Sequence, residues 1–284
     1  MLRGIITIAL KHSLYGRYAY NLALSIKAND PTLPVAVIAD DAGIAHLSQA
    51  QRMVFDHIIT PEESQWCRGE KKLPLVCKFY LNDLTPFDET LFVDADMIFS
   101  QLADMPSFWE SMRNVRWTMA NRGSNDPDKG ISEWVNPDML KQSYGDVKQW
   151  FDLSSEWIYW KRCPLSDRIF VSARKHYDEG KLTTRSFAGD KPDEPFFNLA
   201  LIEADHKPHA LPYQPTYWQP AMKRPMPAIE IKRKYLAFSV GGKMIPKQQQ
   251  LIYDEFAKNA SYKMKMPTLK VTHKMNQLPE RTVI

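Results

Sequence analysis

Two carboxylates stand one residue apart in Leu91–Phe99, LFVDADMIF, at the end of an apolar run that reads as a buried strand. Residues i and i+2 of an extended chain point the same way, so Asp94 and Asp96 can address one point in space. Bringing two like charges to the edge of a core is unfavourable unless they are neutralised, paired or bound to metal. A divalent cation such as Mn²⁺ or Mg²⁺ suits the pair, because one or two carboxylates plus phosphate oxygens complete its shell. Two other chemistries use the same spacing. In one the first Asp is a nucleophile toward phosphorus and the second a general acid/base; in the other both are solvated surface acids.

Elements that deliver such a pair can be read around it. Gly4–Leu10 and Pro34–Asp40 are continuous apolar runs, hence buried strands, and Tyr15–Ala28 between them has helical spacing. Ile44–Met53 predicts a short helix, His57–Thr60 a short strand, Lys72–Leu84 a helix and Thr90–Val93 the strand that ends at Asp94. Strands without polar alternation, separated by helices, argue for an α/β fold with a mostly parallel sheet covered on both faces. Ligands of such sheets bind outside the carboxyl ends of the strands, and Asp40, Asp94 and Asp96 all fall there. Further on, Arg116–Asn121 and Arg168–Ser172 read as strands, Gly123–Gly130 as a long loop, and Ala173–Gly180 as a helix with a glycine stop. Trp134, Trp150, Trp157 and Trp160 are either core packing or a platform for a sugar or base. DEPFFN, Asp193–Asn198, opens a helix that Asp193 is placed to cap.

The chain of 284 residues is 44% hydrophobic and 25% charged, which excludes wholesale disorder. Gly4–Leu10 is followed at once by Lys11 and His12, too short for a signal or a membrane span, so a cytoplasmic protein is expected. Cys67, Cys77 and Cys163 fit no disulfide or zinc spacing and read as thiols. Net charge is +4, but Ala221–Ile284 holds thirteen basic residues against four acidic ones. Such a segment suits a polyanion, whether nucleic acid, membrane surface or diphosphate, or is simply a solvated face.

The order strand, helix, strand, then YLNDLTPFDETLFVDADMIF at Tyr80–Phe99, resembles the GT-A glycosyltransferases over roughly residues 1–210. It is most similar to the glycogenin-like and galactosyltransferase-like retaining families. The resemblance implies a GT-A, Rossmann-like α/β core over 1–220, completed as one domain by the basic segment 221–284. It implies a metal-dependent transfer, with retention, of a sugar from a nucleotide diphosphate, UDP-sugar first, to an acceptor hydroxyl. Mn²⁺ or Mg²⁺ would be held by Asp94, Asp96 and a late His, for which LKVTHKM offers His273, with Lys274 beside it for a phosphate. The family's glycine-containing motif before Lys-Pro-Trp is absent there. Asp193, Glu194 and Asn198 stand for the family's polar corner near the sugar. Thr7, Ala9, His12 and Asp40 resemble base-pocket positions, and Arg68 and Lys78 are candidates for phosphate or ribose.

The acceptor expected from the basic, aromatic tail is a hydroxymethylated pyrimidine in DNA, as in phage-type modification, because Pro225, Pro227, Pro246 and Pro267 interrupt any amphipathic membrane helix. A lipopolysaccharide or cell-surface glycan is the alternative. Outside this class stand a haloacid-dehalogenase-like phosphotransferase, whose motif usually lies on the first strand, and a non-enzymatic nucleic-acid-binding protein.

Overall fold

The computed structural model describes residues 1–121, 134–135, 137–187, 189–209, 216–218, 227–239 and 247–271. In chain order they form β1 (Arg3–Ala9), α1 (Ser13–Asn29), β2 (Val35–Ala39), α2 (Asp41–Ile44), α3 (Gln49–Arg52) and β3 (His57–Ile59). A small hairpin, β4 (Cys67–Arg68) and β5 (Lys71–Lys72), precedes a 3₁₀ segment, Pro74–Tyr80, and α4 (Leu81–Leu84). Then come β6 (Glu89–Val93), β7 (Met97–Phe99), α5 (Met105–Ser111), β8 (Trp117–Asn121), α6 (Pro137–Tyr144), β9 (Leu153–Lys161) and α7 (Pro164–Glu179). The chain continues through α8 (Glu194–Glu203), β10 (Thr216–Trp218), α9 (Ala228–Lys234), β11 (Ala237–Ser239) and α10 (Lys247–Met264).

Six strands pair in the order β3-β2-β1-β6-β9-β8. β1, β2, β3 and β6 are mutually parallel, and β9 runs against both β6 and β8. The two-residue period of each strand feeds two cores. Ile5, Val37, Leu91 and Tyr159 face the side covered by α1 and α10, whereas Ile6, Ile38, Phe92 and Ile158 face α7 and α8. A second sheet, β10-β11-β7, starts directly after the DxD turn. The segment after α10 returns along α1, where the Asn21 amide grips both backbone groups of Leu269 (2.9 and 3.0 Å) and the Tyr20 hydroxyl donates to Pro267 O.

Several elements differ from the sequence reading. Arg168–Ser172 is helix and not strand: Pro164 starts α7, and Ile169, Phe170, Ala173 and Tyr177 bury one face at helical spacing, ending at left-handed Gly180 (φ 66°). Ile44–Met53 breaks into the ends of α2 and α3, because Ser48 and Gln51 form a capping box that starts a new helix. Lys72–Leu84 is mostly 3₁₀, and the eighteen-residue α10 contains no proline, Pro267 coming after its end. Gly123–Gly130, Pro225 and Pro246 themselves lie outside the described residues.

Backbones meet most closely where β1 runs into α1. A Cβ on Gly43 would sit 1.8 Å from Ala9 O, and one on Gly16 would sit 1.8 Å from Gly43 O. Neither contact is with a flexible side chain. Gly43→Ala is therefore expected to destabilise by about 3 kcal/mol, the upper range for overpacking, read as a lower urea midpoint at unchanged slope.

Candidate functional site

Parallel pairing puts the carboxyl ends of β1, β2 and β6 on one edge, with Ala9 opposite Ala39 and Ile6 opposite Phe92. The start of β9 reaches the same edge, since Val93 pairs with Trp157 and the Asp94 N–H donates to Glu156 O at 3.1 Å. Five side chains gather there from distant points in the chain. Lys78, on the 3₁₀ segment, has a 5% exposed side chain, and its ammonium lies 2.9 Å from Asp94 Oδ1 and 3.8 Å from Asp193 Oδ2. It also donates to Ser155 Oγ (3.0 Å) and Ser155 O (3.2 Å). Glu194 Oε1 accepts the Ser155 N–H at 3.0 Å, and Oε2 accepts the indole N–H of Trp134.

Charges in this cluster shift one another. Burial alone would lower the Lys78 pKa, but Asp193 and Asp94 outweigh it and hold its proton above the usual lysine range. Burial pushes Asp94 up to about 6, with Asp96 and Asp193 adding to the rise and Lys78 opposing it. Tyr15, at the start of α1, is raised by burial and then by Asp96 and Asp94, which places its phenol in the field of the DxD pair. Asp193 is 3% exposed and occupies the N-cap position of α8, yet its side chain makes no capping bond. Among the described residues its Oδ2 accepts no hydrogen bond at all.

The donor set suits a hard cation. Asp94 has 28% of its side chain exposed and Asp96 is also partly exposed, so both carboxylates reach the open edge. Among the described residues no group of three His, Cys, Asp or Glu completes a ligand set. His273 and Lys274 lie outside the described residues.

At the ends of β1 and β2, Asp40 Oδ1 accepts the N–H groups of Lys11 (3.0 Å) and Gly43 (2.9 Å), joining the two strand ends. Lys11 takes a left-handed conformation (φ 74°), unusual for a residue with a side chain, and its Nζ donates to Lys72 O on the hairpin. His12 caps α1 by accepting the Leu14 N–H at 3.0 Å. Thr7 and Ala9 are fully buried in the wall behind, and Thr7 Oγ1 has no partner among the described residues.

Two sequence candidates are committed elsewhere. Asn198 is 1% exposed, and both ends of its amide bond the Phe151 backbone at 2.8 Å, so it fastens a loop and offers no group to a substrate. Arg68 is bound to Asp178 (2.9 Å) and to the carbonyls of Ser64 and Cys67. Lys78 is deeper than a phosphate contact requires, with its donors spent on Asp94 and Ser155. Sequence reasoning missed Ser155 and Tyr15. Ser154-Ser155, a polar pair opening an otherwise aromatic strand, was the available signal for the first.

No protein-family model matches the sequence, and no curated protein matches it. Solved structures do. The bifunctional glycosyltransferase WbbM, in its apo form, superposes with TM-score 0.58 at 11% identity over 93% of this chain and 51% of that one. The galactosyltransferase LgtC, solved with donor and acceptor sugar analogues, gives 0.53 at 12% identity over 91% and 95%. Apo GlyE of Streptococcus pneumoniae TIGR4 gives 0.55 at 12% over 94% and 66%. This chain thus spans about half the length of the WbbM structure. At these identities the likeness is one of fold, and the fold is that of the GT-A glycosyltransferases.

Proposed function

We propose that the protein is a metal-dependent glycosyltransferase that moves a sugar from a nucleotide diphosphate, UDP-sugar first, to an acceptor hydroxyl with retention of configuration. The observation that carries this reading is the convergence of Asp94, Asp96, Lys78 and Asp193 on the carboxyl edge of a GT-A sheet. Asp94 and Asp96 would hold Mn²⁺ or Mg²⁺, with His273 as third ligand and Lys274 near a phosphate. When bound, the cation neutralises charge developing on the leaving diphosphate. The chain's own groups do the rest. Asp40 fixes the strand ends that frame the base, with His12 and Lys11 at the mouth. Lys78 fixes Asp94, and the Asp193 carboxylate beside that ammonium would stabilise positive charge developing at the anomeric carbon. Retention follows from the family resemblance.

The acceptor is read as a sugar hydroxyl, since LgtC was solved with an acceptor sugar analogue. A DNA acceptor rests on tail charge, and in the described part of the tail Lys232 and Lys234 are paired with Glu255 and Glu230. Loss of retention on duplex DNA at 0.15 M salt is expected; tight, sequence-tolerant retention would restore the DNA reading. The phosphotransferase alternative usually carries its motif on the first strand, but here the motif follows β6. No helix among the described residues is long and apolar enough to cross a membrane.

A thermal-shift screen tests the proposal, because a ligand that binds only the native state raises the midpoint. A nucleotide-sugar is expected to raise it with Mn²⁺ and not with EDTA. Acid should weaken the metal. A carboxylate must lose its proton to ligate, so with Asp94 pushed up to about 6 the Mn²⁺ affinity measured calorimetrically is expected to fall as pH drops below that value.

A further inference from the structure

Four tryptophans crowd the sequence between Trp134 and Trp160, and the fold separates them. Trp150, Trp157 and Trp160 are core residues, at most 3% exposed, with Trp157 against Phe99 and Phe108 and Trp160 against Phe170. Trp134 is only partly buried. Its ring meets Phe187 edge to face at 5.2 Å, and its carbonyl accepts the Arg185 N–H at 2.8 Å. Its indole N–H donates to Glu194 Oε2, whose other oxygen accepts the Ser155 N–H. Ser155 in turn binds Lys78, and Lys78 binds Asp94. A continuous chain of hydrogen bonds thus runs from an aromatic ring to the Asp94 carboxylate.

We infer that Trp134 is a stacking platform for a pyranose ring in this site and that Glu194 is its positioning residue. A pyranose has an apolar C–H face and a rim of hydroxyls, so it is recognised by a fixed aromatic surface beside hydrogen-bond acceptors. Both are present: the ring held by Glu194, and the carboxylate of Asp193, the residue next to Glu194 in the chain, whose Oδ2 accepts no hydrogen bond among the described residues and lies 3.8 Å from the Lys78 ammonium. Glu194 uses its two oxygens on the Trp134 and Ser155 N–H groups, which locks the platform to the start of β9. This assignment rests on the proposed transfer of a sugar and adds the residue that reads the sugar.

The test uses the full chain with Mn²⁺ and compares affinities by calorimetry for UDP, for UDP-galactose and UDP-glucose, and for lactose added to the UDP complex. In the wild type the ring is expected to tighten UDP-hexose relative to UDP if it faces the donor, or to hold lactose if it faces the acceptor. Trp134→Ala removes that sugar increment, about tenfold, equivalent to about 1.4 kcal/mol, and leaves UDP affinity within twofold. Trp134→Phe keeps a ring without the N–H and retains part of it. Glu194→Gln, which can no longer accept from both N–H groups, also retains only part, whereas a merely structural role would weaken UDP and the sugars alike. Sugar increments unchanged in Trp134→Ala, or absent from a wild type that binds UDP, overturn the platform and leave the transferase reading standing. A wild type that binds neither UDP nor any UDP-hexose with Mn²⁺ overturns that reading itself.

Discussion

Asp96→Ala is expected to abolish metal-dependent turnover of a nucleotide-sugar, by about 10³-fold or about 4 kcal/mol in the barrier, while the protein stays folded. The size follows from what the pair is for. A cation held by Asp94, Asp96 and His273 would lose one of its two carboxylates, and charge on a departing diphosphate would then develop without it. The fold survives because Asp96 is partly exposed at the end of the DxD turn, whereas β6 before it is buried throughout. Asp96 also raises the Asp94 pKa, so its removal relieves repulsion within the cluster. Turnover with Mn²⁺ and thermal melting of the ligand-free variant read the two halves of this expectation separately. A melt that collapses would make Asp96 a structural residue.

The second large effect is on stability. Lys78→Met removes the buried cation that faces Asp94 and Asp193 and bonds Ser155, leaving the buried Asp193 and the partly exposed Asp94 without it. Breaking a buried pair from one side typically destabilises by about 3–5 kcal/mol, which for a chain of this size lowers the melting temperature by roughly 10 °C. Its pH dependence has a definite sign. Without Lys78 the folded-state pKa of Asp94 rises further above its unfolded value. A group raised in this way contributes stability below its unfolded pKa and loses it as pH climbs through the folded one. The deficit of Lys78→Met against wild type is therefore expected to shrink as pH falls from 7 toward 5. Urea midpoints at several pH values measure it, and a deficit that does not change with pH would remove the electrostatic account of Lys78.

What the sequence made legible depended on whether local pattern and tertiary role agreed. β1, β2 and β6 are buried on both faces, so their apolar runs announce them, and their ends mark the edge where Asp40, Asp94 and Asp96 stand. Arg168–Ser172 failed because a run rich in Ile, Phe and Val fits strand and helix alike over five residues, and only the Pro164 start resolves it. Lys78 was visible as a charge on the segment before the DxD strand. That it is buried, and that its donors go to Asp94 and Ser155, depends on partners 16 and 77 residues away. Asn198 looked chemical because it follows Asp193 and Glu194 at close spacing, yet its amide holds the Phe151 backbone, a contact no spacing encodes. Trp134 lost its distinction among four tryptophans for the same reason. Its partner Glu194 lies 60 residues on, and only the fold brings them together.

Whether the chain breaks a sugar–diphosphate bond is read from release of UDP from a panel of UDP-hexoses and UDP-pentoses by the wild type, followed with and without Mn²⁺. Slow hydrolysis to UDP and free sugar with Mn²⁺, absent with EDTA and lost in Asp96→Ala, is the predicted result. Stability of every nucleotide-sugar in the presence of Mn²⁺, or a phosphoaspartate trapped at Asp94, would contradict it.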